Sequence, residues 1–155
     1  MKRGMMAGIV TSIHSNKDLQ FVLDTNVVSE PVKRRPSPLV LDRLEREDEL
    51  LAITSVVWHE LVFGMYRMSV GSKRQTIEDY LRGFVAGRML ILPYDAIAAE
   101  WLATERVRLA SDGKMTSDAD GMIAAVAATR GLTLVTRNVD HFQYFDGLQI
   151  ENWFE

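Results

Sequence analysis

Apolar residues follow two alternating rhythms along this chain. Mostly apolar runs at 19–23, 50–53, 89–92 and 132–135 have the length and character of buried strands. Between them, apolar positions recur at helical spacing. Leu39, Val40 and Leu44 form one stripe, and Val57, Leu61, Met65 and Met68 a second. Ile77, Tyr80, Leu81 and Phe84 follow, then Ile97, Trp101, Leu102 and Val107, and last Ile123, Val126 and Ala127. Thr54-Ser55, Asp95 and Ser117 stand where helix N-caps are expected, and Gly113 and Gly131 where helices stop. Residues 148–150 suggest a short fifth strand. Strands alternating with helices predict an α/β domain around a mainly parallel sheet of four to five strands.

Composition narrows this picture without redirecting it. With 155 residues, 47% of them hydrophobic, the chain has material for one well-cored domain, expected over 19–155 behind an extension at 1–18. The absence of cysteine removes disulfides, thiolate metal sites and cysteine nucleophiles. A formal charge of -3 gives no global basic footprint, although metal ions and a local basic rim can bind nucleic acid without one. The apolar stretch after Lys2 and Arg3 is too short and too interrupted for a signal peptide, and no run approaches a membrane span. A soluble, cytoplasmic protein is expected.

Candidate chemistry comes from where the acids fall. Asp24 directly follows the most apolar strand, Glu60 lies early in the helix after the second, and Asp120 begins the helix before the fourth. Asn138 and Asp140 follow that fourth strand. In a parallel sheet these positions share one edge, beyond the carboxyl ends of the strands, where such folds build their sites. Clustered carboxylates repel unless cations hold them, and an all-oxygen set suits Mg2+ or Mn2+ better than zinc. Such ions can activate water and stabilise a phosphodiester displacement.

Plainer readings stand beside each position. Asp24-Thr25-Asn26 also fits a turn and cap, and Ser117 with Asp120 fits a capping box. Asp118 reads as an exposed charge on the helix dipole, and Asp140 as a loop acid. His14, His59 and His141 show no ligand spacing and read as incidental. Arg34, Arg35 and Arg137 could touch RNA phosphates or simply face solvent.

Four segments together resemble the PIN-domain family. They are Asp24-Thr25-Asn26 with Val27-Val28-Ser29-Glu30, Glu60-Leu61-Val62-Phe63-Gly64, Asp120-Gly121-Met122-Ile123-Ala124-Ala125, and Gly131-Leu132-Thr133-Leu134-Val135-Thr136-Arg137-Asn138. The likeness spans roughly residues 21–153 and is greatest to the VapC and FitB-like toxins of bacterial toxin–antitoxin pairs. The resemblance implies a three-layer α/β/α fold, Mg2+ or Mn2+ dependence and endoribonuclease activity. It assigns metal binding and catalysis to Asp24, Glu60 and Asp120, with Thr136 as polar support. Thr25 and Asn26 are taken as further support. The fourth acid is assigned to Asp140, with Asn138 in a supporting role. A DNA-binding antitoxin and a toxin homodimer are the implied partners. Two other readings remain: a non-catalytic PIN-like module that binds protein or RNA, and a phosphotransferase with Asp24 as nucleophile. The second lacks its D-x-D-x-T pattern, because Asn26 replaces the second Asp.

Overall fold

The structure, a computed structural model, describes residues 18–155. The extension expected over 1–18, with His14, lies outside the described residues but for Asp18. Strand β1 (Phe21–Leu23) leads through helix α1 (Thr25–Val28) and a 3-10 turn to α2 (Pro38–Arg46). Then come β2 (Leu51–Thr54), α3 (Ser55–Tyr66) and α4 (Ser72–Asp79), which runs on through a π-helical turn at Tyr80–Val85. Strand β3 (Leu90–Leu92), α5 (Ala96–Ser111), α6 (Asp118–Thr129), β4 (Thr133–Val135), α7 (Val139–Phe142) and β5 (Ile150–Glu151) complete the chain.

The five strands lie in the order β3-β2-β1-β4-β5, and every registered pair is parallel. Phe21 of β1 sits between Leu51 of β2 and Thr133 of β4, so the first strand occupies the middle of the sheet. All residues of β1 and β2 are buried. A strand with both faces buried needs a layer of helices on each side, which gives the three layers. This architecture is the one the resemblance implied.

Local sequence explains the helix starts. Thr54, Asp95 and Ser117 all cap as expected, their side-chain oxygens accepting from Val57, Ala98 and Asp120 backbone N–H groups at 3.0, 2.9 and 3.1 Å. One helix face departs from expectation. Ile97 and Val107 of α5 are 70% and 74% exposed, and the helix instead buries Ala98, Leu102, Glu105 and Leu109. Apolar periodicity missed this face because one of its four members is a carboxylate. The short helices α1 and α7 also carry too few residues for a periodic signal.

Helix α6 is held tightly against α5. A Cβ on Gly121 would meet Leu102 Cδ1 at 2.9 Å, so this glycine lets the two helices approach closely right beside Asp120. The neighbouring Arg106–Asp118 pair, at 2.7 Å, is an exposed surface contact, in line with the solvated reading of Asp118.

Candidate active site

Asp24 is the N-cap of α1 and the residue immediately beyond β1. Its backbone N–H donates to Val135 O of β4 at 2.9 Å, which ties it between the two central strands. The side chain is only 6% exposed. Its Oδ1 accepts from Thr25 N at 2.8 Å, and its Oδ2 from Thr136 Oγ1 at 2.7 Å and, more loosely, from Asn26 Nδ2 at 3.4 Å. All three donors are neutral. Burial raises the Asp24 carboxyl above its ordinary pKa; the bonds from Thr136 and Thr25 oppose the rise, while the charges of Asp120 and Glu60 add to it. The cap reading and the site reading are therefore both true of this residue.

Two further segments bring acids near enough for their charges to act on Asp24. Glu60, from the middle of α3, accepts a hydrogen bond from the Thr25 hydroxyl through Oε2. Asp120, in the first turn of α6, receives the Ser117 cap at its backbone, while its carboxylate Oδ2 lies 3.2 Å from His141 Nδ1. Thr136 is fully buried, and its oxygen both donates to Asp24 and accepts from Asn138 N at 3.0 Å. Asn26 Oδ1 accepts from Arg137 N at 3.2 Å, fastening the loop after β4 to α1.

Other expected residues stand further out. Asp140 opens α7 and is exposed; it shares a cleft wall with Asp120 and is not among the charges acting on Asp24. Asn138 contributes its backbone N–H, and its side chain makes no cap for α7. The Arg137 guanidinium lies over the Phe154 ring at 4.7 Å, and its charge helps lower the pKa of Glu30. Arg34 and Arg35 are exposed.

Two contacts escaped sequence reasoning. The Thr25–Glu60 bond joins residues 35 positions apart, which no local spacing reveals. His141, read as incidental, touches Asp120 because α7 turns it back toward α6; the only signal was its place one residue after Asp140.

The donor set can be tested against a cation by its chemistry. Asp24, Glu60 and Asp120 offer only oxygens, and the buried Asp24 carboxyl is placed under the charge of two like neighbours with no cationic side chain bonded to it. That combination fits a hard divalent ion. As they stand, no group of three or more His, Asp or Glu among the described residues is arranged to hold a metal. Each carboxylate is turned toward its own partner: Thr136 and Thr25 N for Asp24, the Thr25 hydroxyl for Glu60, His141 for Asp120.

Comparison with known proteins places this geometry. A family model described as the PIN domain matches residues 21–148, and the chain belongs to the PIN-domain family. Within it, the chain is 34% identical over 135 residues to the tRNA(fMet)-specific endonuclease VapC of Shigella flexneri, covering 87% of this chain and 98% of that one. It is 35% identical over 141 residues to Toxin FitB of Neisseria gonorrhoeae, covering 86% and 99%. Among solved structures it resembles a DNA-bound VapBC from Salmonella typhimurium, with a TM-score of 0.77 and 31% identity over 87% of this chain and 98% of that one.

Proposed function

We propose that this chain is an endoribonuclease dependent on Mg2+ or Mn2+, acting in the cytoplasm as the toxin of a toxin–antitoxin pair. The observation that carries it is the buried Asp24, fixed by neutral donors at the carboxyl edge of the sheet under the charges of Glu60 and Asp120. The family membership and the printed activities of the VapC and FitB relatives support the reading. No helix among the described residues is long and apolar enough to cross a membrane.

Asp24 and Asp120 would hold the principal ion, with Glu60 beside them and Asp140 completing the site or holding a second ion. When bound, a divalent cation supplies the positive charge that offsets the acids and polarises a phosphodiester oxygen. The chain's own residues do the rest. Thr136 and the Thr25 N–H fix the Asp24 carboxylate in one orientation. Glu60 orients the attacking water and takes its proton at a carboxylate oxygen. Water forms the new bond to phosphorus as the bond to one ribose oxygen breaks. The antitoxin would be a DNA-binding protein encoded beside this chain, and the toxin would work as a homodimer.

Purified Asp24→Asn and Asp120→Asn variants should lose Mg2+-dependent RNA cleavage while remaining folded. Unchanged cleavage in both would overturn the assignment. Titrating metal into the wild type by calorimetry gives the second reading its chance: no binding at millimolar Mg2+ or Mn2+ favours a non-catalytic RNA- or protein-binding module.

A further inference from the structure

Beyond Asp120 a cleft of about 360 Å3 opens between the α5–α6 connection and the segment that follows α7. Both of its walls are anchored on α5. On one side, Gly113 takes a φ of 71° and ends the helix, its N–H donating to Ala110 O at 3.0 Å while Lys114 N reaches back to Leu109 O at 2.8 Å. That turn brings Lys114 into the cleft, and Ser117 at once begins α6, so only residues 114–116 lie between two fixed ends. On the other side, the buried Glu105 accepts Asp146 N at 2.6 Å through Oε1, and Arg108 Nη2 donates to Tyr144 O at 2.8 Å. Arg108 also grips Glu105 with two bonds, of 2.9 and 2.8 Å.

The surface so fixed combines a cation with uncovered apolar area. Lys114 Nζ stands 3.6 Å from the centre of the Tyr144 ring, and among the described residues it makes no ion pair. Tyr144 is 45% exposed and Met115 is 95% exposed. Aromatic and thioether surface beside an ammonium suits a nucleotide, with the base against the apolar side chains and the phosphate at the cation. Asp120 and Asp140 line the same cleft and would repel an isolated anion. A strand of RNA that reaches the acids, with a divalent ion offsetting their charge, would present its next nucleotide to the Lys114–Tyr144 wall.

We propose that the cleft walled by Lys114, Met115 and Tyr144 is the subsite for an RNA nucleotide flanking the bond cut at Asp120. This rests on the nuclease reading above and adds to it the direction in which the strand leaves the acids.

The test uses the full chain, a fluorescein-labelled single-stranded oligoribonucleotide and Mg2+, following both binding by anisotropy and cleavage at steady state. Tyr144→Leu should raise KM about tenfold, as loss of a stacking platform does, with a much smaller change in kcat. Lys114→Ala should raise KM severalfold and reduce the slope of log affinity against log salt by about one, and Lys114→Arg should restore both. Unchanged KM and affinity in both variants, or a loss confined to kcat, would overturn the subsite. So would a change of oligomeric state in either variant on gel filtration, which would assign the surface to a protein contact. A wild-type chain that binds the RNA in a Lys114-dependent way without cutting it would support the subsite and sink the nuclease reading instead.

Discussion

Two buried carboxylates in this molecule have opposite electrostatic fates. Asp24 and Glu105 are 6% and 7% exposed, and in each removal from water disfavours the charged form. Glu105 is held by the Arg108 guanidinium and the Asp146 N–H, and its pKa falls below the ordinary value despite burial. Asp24 has only hydroxyl and amide donors, with two further acids nearby, and its pKa rises. Burial alone therefore says little about role. A buried acid matched by a cation is a brace, whereas one left under like charge favours taking up a proton or, as proposed above, a metal ion.

The strongest break in this comparison is Asp24→Asn, which should reduce RNA cleavage more than about 100-fold, beyond the usual effect of losing a supporting contact. Its melting temperature should stay within about 5 °C of the wild type, because the substitution removes repulsion along with the charge. A marked loss of stability would make Asp24 a brace like Glu105. Next in size, Thr136→Val should lower cleavage about 10–100-fold by freeing the Asp24 carboxylate, and Thr136→Ser should recover most of it. Equal activities for Val and Ser would remove the hydroxyl from the mechanism.

Glu105→Ala should act on stability, costing about 2–3 kcal/mol in urea denaturation, because it leaves the Asp146 N–H and Arg108 without their acceptor. A cost below about 0.5 kcal/mol would show that the brace carries nothing. The smallest effect is on pH dependence. Since the folded pKa of Glu105 lies below its ordinary 4.5, the unfolded chain binds the proton first as pH falls. Its contribution is present above about 4.5 and disappears as pH drops through the folded value. Glu30 behaves alike: burial pushes its pKa up, but the Lys33 ammonium and Ser37 N–H outweigh this and lower it. The wild-type melting temperature should thus fall on acidification, and Glu105→Gln should flatten part of that slope; an equally steep profile would exclude Glu105 from it.

Much of this was legible in the letters because parallel α/β folds write their core as continuous apolar runs. Four of the strands, the caps at Thr54, Asp95 and Ser117, and the convergence of Asp24, Glu60 and Asp120 follow from such runs and one rule about strand ends. Contacts between side chains on separate helices were not legible. The Thr25–Glu60 and His141–Asp120 pairs depend on the angles at which α3, α6 and α7 meet the sheet, and a one-dimensional pattern does not encode those angles. The brace at Glu105 was hidden for a different reason: a charged residue on an inward face contradicts the periodicity used to find that face.

The central place of β1 has a consequence for the timing of synthesis. Asp24 is made early, yet the hydroxyl that fixes its carboxylate comes from Thr136, 112 residues later, and reaches it only when β4 docks alongside. A growing chain on the ribosome therefore carries its acids without the contact that orients them. Whatever this site does to RNA, it begins to do only once Thr136 has been made and β4 has docked beside β1.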